Sequence, residues 1–127
     1  EISLTNAENM QVIYYNKDQE YRKHFDAFNK NVSIGLNHTK WGGNRVVTCM
    51  VYLNNVESGG STSFPNLDLE VKPKKGKLLV FYNCENEKYE KPHKNSLHAG
   101  CPVIEGEKYA FTLWFREKDV KKNYYES

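Results

Sequence analysis

No stretch of this sequence approaches the roughly 20 consecutive apolar residues of a membrane-spanning helix; the longest apolar run, within "KLLVFY" at 77–82, is about six. Residues 1 to 15 also lack the basic start and apolar centre of a secretory signal. No membrane partner is expected. Charge of one sign is missing too: 18 Lys and Arg against 16 Asp and Glu leave a formal +2. That balance offers no strong field for nucleic acid, so none is expected as a partner. Cysteine is scarce. Cys49, Cys84 and Cys101 are odd in number and widely spaced, with no CxxC pair, which argues against a disulfide framework and a thiolate zinc site. They read as free thiols in a reducing cytoplasm. Helical periodicity is nearly absent: only residues 1 to 10 and the charged tail from Glu117 could hold a turn or two.

What is present is strand chemistry. The 127 residues suit one domain, 1–127, and 39% hydrophobic with 13% aromatic content can fill one core. Segments 11–15, 21–28, 45–53, 67–71, 77–82, 96–103 and 108–116 are rich in β-branched and aromatic residues. "NKDQ", "NNVESGGST", "KPKKGK", "EKPHKNS" and "IEGE" separate them with turn residues. Seven or eight short strands imply an all-β, mainly antiparallel sandwich or barrel. In "KYAFTLWFR" the odd positions Tyr109, Phe111, Leu113 and Phe115 are large and apolar, a face expected to pack on a second layer. The even positions Lys108, Ala110, Thr112, Trp114 and Arg116 suit the lining of a cavity. "RVVTCMVYL" is apolar on both faces and reads as a central strand carrying Thr48 and Tyr52 inward. Residues 29–44, rich in Asn and Gly, show no strand or helix period and read as a lid-like loop. His38 and His93 fall in loops and read as solvated.

Chemistry enters with "EYRKHFDAF". On a strand, His24 and Asp26 share a face and can converge on a metal ion. With four histidines and 16 acidic residues, such a pair arises readily by chance, so it needs company. His98 supplies it from a strand near the far end of the domain, and Lys108 follows on the cavity face. Two histidines and one carboxylate on one face of a metal leave positions open, the pattern of non-heme Fe(II) oxygenases. A buried lysine beside them calls for a matching anion, such as the distant carboxylate of a chelating cosubstrate.

The blocks "QVIYYNKDQEYRKHFD", "NRVVTCMVYLNNVESGGSTSFP", "VKPKKGKLLVF" and "SLHAGCPVIEGEKYAFTLWFR" resemble the prolyl 4-hydroxylases among the 2-oxoglutarate- and Fe(II)-dependent dioxygenases. The resemblance implies a double-stranded β-helix, or jelly roll. It implies iron ligands at His24, Asp26 and His98, and Lys108 on the C5 carboxylate of 2-oxoglutarate. It places Tyr15, Thr48 and Tyr52 at the cosubstrate and Tyr21, Trp114, Arg45 and Arg116 near the substrate. The implied reaction hydroxylates a peptidyl proline at C4, releases succinate and carbon dioxide, and uses ascorbate as reductant. A proline-containing peptide or protein is the implied partner. Two departures stand out: Lys17 and Asp18 occupy a turn where many members have Pro-Gly, and at most residues 1 to 10 stand where a helical segment usually precedes the barrel. Alternatives are a sister oxygenase acting on another residue or small molecule, and a non-catalytic jelly-roll binding protein. Asp26 argues against a halogenase, and Ile104 replaces an arginine expected of AlkB-type demethylases.

Overall fold

A computed structural model of the protein describes residues 2–120. Ten strands are defined there: β1 (Gln11–Tyr15), β2 (Tyr21–His24), β3 (Arg45–Tyr52), β4 (Ser58–Gly59), β5 (Thr62–Phe64), β6 (Leu69–Val71), β7 (Leu78–Tyr82), β8 (His98–Gly100), β9 (Val103–Glu105) and β10 (Lys108–Arg116). One short helix, α1 (Ser33–His38), lies between β2 and β3. All strand pairs are antiparallel. One sheet has the order β1-β10-β3-β7, a second β2-β8-β5-β6, and a third pairs β4 with β9.

The two larger sheets face each other and form the jelly roll. Across the gap, the Tyr52 and Thr62 hydroxyls lie 2.6 Å apart and the Phe64 and Phe81 rings meet edge to face at 5.1 Å. Register positions the interior. Trp114 pairs with Thr48 and Thr48 with Phe81, so three inward side chains stand abreast on the first sheet. On the second, His24 pairs directly with His98. β3 occupies the interior of its sheet, as its two-sided apolar pattern requires.

Several sequence expectations need correction. The strand read over 21–28 stops at His24, and Asp26 lies in a bend beyond it. The chain turns there because the buried Asn44 side chain accepts from Phe28 N at 2.8 Å and donates to Phe28 O at 2.7 Å, taking backbone groups that a strand would pair. β4, β5 and β9 fall in segments read as turns or strand ends: Ser, Thr and Gly conceal β4 and β5, and Gly106 directly after β9 makes its Val103–Glu105 look like a turn. Residues 29–44 contain α1, and their base is tied down: the Arg116 guanidinium donates to carbonyls of His38, Trp41 and Gly43. His38 stacks on Phe28 at 4.9 Å, and His93 Nδ1 accepts from Asn95 N, so neither ring is merely solvated. The turn expected in residues 1 to 10 is a 3-10 turn at Leu4–Asn6; the tail shows bends to Val120, and its remainder lies outside the described residues.

The faces of β10 divide as alternation predicts, with one difference. Lys108, Ala110 and Thr112 are buried toward the interior. The odd face points outward without a second layer over it among the described residues: Tyr109 is exposed, and Phe111, Leu113 and Phe115 are half-buried. Val12, Tyr14, Leu78, Val80 and Tyr82 extend the exposed apolar surface on neighbouring strands. The interior of this single sandwich is taken up by the site rather than by a second apolar core.

Candidate metal and cosubstrate site

His24 and His98, cross-strand partners on β2 and β8, meet Asp26 from the following bend. His24 Nε2 lies 3.2 Å and His98 Nε2 3.4 Å from Asp26 Oδ1, and the ligating atoms of all three fall within 4.8 Å of one another. Those spacings approach the roughly 3 Å edge of a coordination shell with ligands about 2.1 Å from a metal. The tautomers are set from behind. His24 Nδ1 sits 2.7 Å from Arg22 O, and His98 Nδ1 sits 2.8 Å from Ser96 O. A carbonyl only accepts, so both Nδ1 atoms carry hydrogen and each ring turns its Nε2 toward the shared point. Ring packing fixes the imidazoles: Phe81 meets His98 at 4.8 Å and Tyr21 meets His24 at 4.1 Å.

Asp26 is buried, and its second oxygen is already engaged. Oδ2 accepts from the Thr48 hydroxyl at 2.7 Å and from the Trp114 indole N–H at 3.1 Å. Burial alone would raise the carboxyl pKa, but hydrogen bonds from His24, His98 and Thr48 outweigh it and hold Asp26 well below the usual carboxylate range. Burial likewise disfavours protonated His98, yet the Asp26 carboxylate overrides it and raises the imidazole pKa. A metal cation that displaces the protons between the rings and Asp26 would meet one carboxylate oxygen and two imidazole nitrogens.

The same cavity, about 660 Å³, reaches from this trio to Lys108. Lys108 is 1% exposed and has no hydrogen bond or ion pair among the described residues. Two aromatic rings stand beside it: Nζ lies 5.6 Å from the Tyr15 ring centre and 5.7 Å from that of Tyr52. Burial lowers its pKa to about 8. Tyr15 and Tyr52 flank this end, and burial raises both phenol pKa values. A cation without a counter-ion among the described residues, at a cavity's end, has the chemistry to pair with an anionic group.

At the mouth, Tyr21 is exposed beside His24. Arg45 lies over Trp114, its guanidinium carbon 3.9 Å from the indole centre. Glu8 holds Arg45 and Arg116 together, with Oε2 2.7 Å from Arg45 Nε and 2.9 Å from Arg116 Nε. Thus Arg45 borders the cavity, whereas Arg116 is turned toward Glu8 and the 38–43 carbonyls. Thr48, expected at the cosubstrate, has Asp26 and Asn83 as its observed partners. Glu8, Asn44 and Asn83 escaped sequence reasoning, because an isolated Asn or Glu near a turn looks like any solvated turn residue. A second cavity of about 650 Å³ opens beside Val47, Tyr82 and Tyr89. Its one thiol, Cys84, is pushed up to about 11 by burial, and it brings no cluster of ligands.

A family model described as the 2OG-Fe(II) oxygenase superfamily matches residues 10–116. The chain belongs to that superfamily. Prolyl 4-hydroxylase 2 of Arabidopsis thaliana is 38% identical over 92% of this chain and 44% of its own length. Prolyl 4-hydroxylase 5 of the same plant is 34% identical over 94% of this chain and 45% of its own. Among solved structures, the viral collagen prolyl hydroxylase of Paramecium Bursaria Chlorella virus-1, in complex with 2OG, superposes with a TM-score of 0.76. It is 36% identical over 87% of this chain and 59% of its own. The chain thus spans about half the length of its curated relatives. The residues fit the superfamily's groups: His24, Asp26 and His98 suit Fe(II), and unpaired Lys108 suits the anionic end of 2-oxoglutarate.

Proposed function

We propose that this chain carries the active site of a peptidyl-proline 4-hydroxylase dependent on Fe(II) and 2-oxoglutarate. The observation that carries the reading is one cavity holding two Nε2 atoms and one carboxylate oxygen at one point and an unpaired, buried ammonium at its end. Bound Fe(II) would supply dioxygen activation coupled to oxidative decarboxylation of 2-oxoglutarate to succinate and carbon dioxide. The protein's part is placement. His24, Asp26 and His98 bind the metal and leave positions free for chelation. Lys108 orients the cosubstrate through its C5 carboxylate, and the Tyr15 and Tyr52 phenols border that end. Thr48 supports the same region through Asp26. Burial of the lysine and the tyrosine rings excludes water that would compete for the carboxylate.

At the open end, Tyr21, Trp114 and Arg45 offer an aromatic and cationic rim to a proline-containing peptide, and Arg116 shapes that rim through the 38–43 backbone. The names of the similar plant and viral proteins support proline as the target. Ascorbate is the reductant proposed to return the metal to the ferrous state. Free thiols at Cys49, Cys84 and Cys101 support a reducing compartment, the cytoplasm. No helix among the described residues is long and apolar enough to cross a membrane.

The test is mass spectrometry of proline-rich peptides incubated with the protein, Fe(II), ascorbate and 2-oxoglutarate. One added oxygen on proline, matched by succinate and lost when either iron or 2-oxoglutarate is omitted, is expected. Succinate release without any peptide oxidation would place the target elsewhere. Absence of both products would remove the enzymatic reading.

A further inference from the structure

Asn83 lies just beyond β7, fully buried, and touches no ligand atom. Its connections nevertheless run to two members of the trio. Its side-chain Nδ2 donates to Thr48 Oγ1 at 2.8 Å, and Thr48 in turn donates to Asp26 Oδ2 at 2.7 Å. Its main-chain carbonyl accepts from His93 N at 2.9 Å and from the Ser96 hydroxyl at 3.3 Å. Those bonds hold the 3-10 turn Lys94–Ser96, whose Ser96 carbonyl takes the Nδ1 hydrogen of His98. One residue thus stands behind both Asp26 and His98.

The direction of the chain follows from counting donors. Ionised Asp26 can only accept, so Thr48 must point its single hydrogen at Oδ2. Thr48 can then only accept from Asn83, which requires the Nδ2 end of the amide to face it. The opposite end shows the cost: Asn83 Oδ1 is buried with no hydrogen-bond partner among the described residues. An unsatisfied buried carbonyl costs about 1–3 kcal/mol, which a residue chosen for stability alone would avoid.

We propose that Asn83 is a positioning residue for the metal carboxylate: by donating to Thr48 it fixes the Thr48 hydrogen on Asp26 Oδ2, so that Asp26 offers a metal one oxygen only. The proposal rests on the trio being a metal site. With Oδ2 held by Thr48 and Trp114, Oδ1 alone remains beside the two Nε2 atoms, and the position that a two-oxygen carboxylate would occupy stays free. Outer hydrogen bonds of this kind typically alter metal affinity 10- to 100-fold.

The experiment titrates the metal-free protein with Co(II), followed by visible absorption, so that no turnover is needed. Wild type is expected to bind one ion per chain; no binding would remove the metal-site reading itself, separately from the role of Asn83. Asn83→Asp keeps the shape but reverses the hydrogen bond, drawing the Thr48 hydrogen away from Asp26. About ten-fold weaker Co(II) binding is expected, although a nearby added carboxylate would by charge alone tighten it. Thr48→Val should lose a similar amount, Thr48→Ser should restore near-wild-type affinity, and the double variant Thr48→Val, Asn83→Asp should bind no worse than the weaker single. Affinity of Asn83→Asp equal to or above wild type, or losses that multiply in the double variant, overturns the proposal. Should Asn83→Asp fail to fold, Asn83→Leu enters the same titration with the same expected loss and the same refuting result.

Discussion

Replacing Lys108 by methionine should move two properties in opposite directions. The side chain is 1% exposed and faces Tyr15 and Tyr52 without a counter-ion, so in the free protein it is an ammonium burdened by burial. A pKa lowered from 10.5 to about 8 corresponds to ~3 kcal/mol of differential stability. The sign is destabilising: the unfolded chain holds this proton up to 10.5 and the folded chain releases it near 8. The penalty is complete below pH 8 and fades as pH rises toward 10.5. Methionine has similar length and no charge, so below pH 8 Lys108→Met should melt roughly 10 °C higher than wild type. That advantage should shrink toward zero in alkaline buffer. Cosubstrate binding should suffer instead. Removing one partner of a buried charge pair costs about 2–5 kcal/mol, so 2-oxoglutarate affinity should fall roughly 30- to 5,000-fold. Calorimetric titration of the anaerobic Mn(II)-loaded protein reads the affinity, and thermal melts at several pH values read the stability. A variant that melts below wild type at pH 7 and keeps its 2-oxoglutarate affinity would refute the reasoning about an unpaired ammonium.

The same lysine gives wild type a pH signature: as the free protein loses the Lys108 proton above about 8, the 2-oxoglutarate dissociation constant should rise about ten-fold per pH unit. A flat profile through that range would mean that the neutral amine binds equally well. Asp26→Ala removes the only carboxylate of the trio, and desalted protein should then retain no stoichiometric iron by elemental analysis; iron equal to wild type would place the metal elsewhere. Arg116→Leu removes donors to the His38, Trp41 and Gly43 carbonyls, so amides across 38–43 should exchange with deuterium at least several-fold faster while the β3 core stays protected. Unchanged exchange there would show that other contacts hold the loop.

The legible parts of this molecule are those governed by alternation. β10 runs Lys108–Arg116 as its composition predicts, and its even positions from Lys108 to Trp114 face inward as strand alternation requires, until the register shifts between Phe115 and Arg116 and Arg116 turns to Glu8. The convergence of His24 and Asp26 was anticipated from that rule as well, yet the structure achieves it differently. The strand ends at His24, and the bend held by Asn44 brings Asp26 back. No local pattern reveals that, because Asn44 acts on Phe28 across 16 residues. Short strands such as Thr62–Phe64 were hidden for a related reason: neighbouring strands, not intrinsic propensity, make them strands. The hydrogen-bond chain from Asn83 to Asp26 also joins separate elements and leaves no periodic trace.

The most direct test is a crystal structure of the protein with Mn(II) and 2-oxoglutarate under anaerobic conditions. One ion is expected, bound by Nε2 of His24, Nε2 of His98 and Oδ1 of Asp26, with the C5 carboxylate on Lys108 Nζ. An ion bound outside this trio, or 2-oxoglutarate lying away from Lys108, would contradict the account.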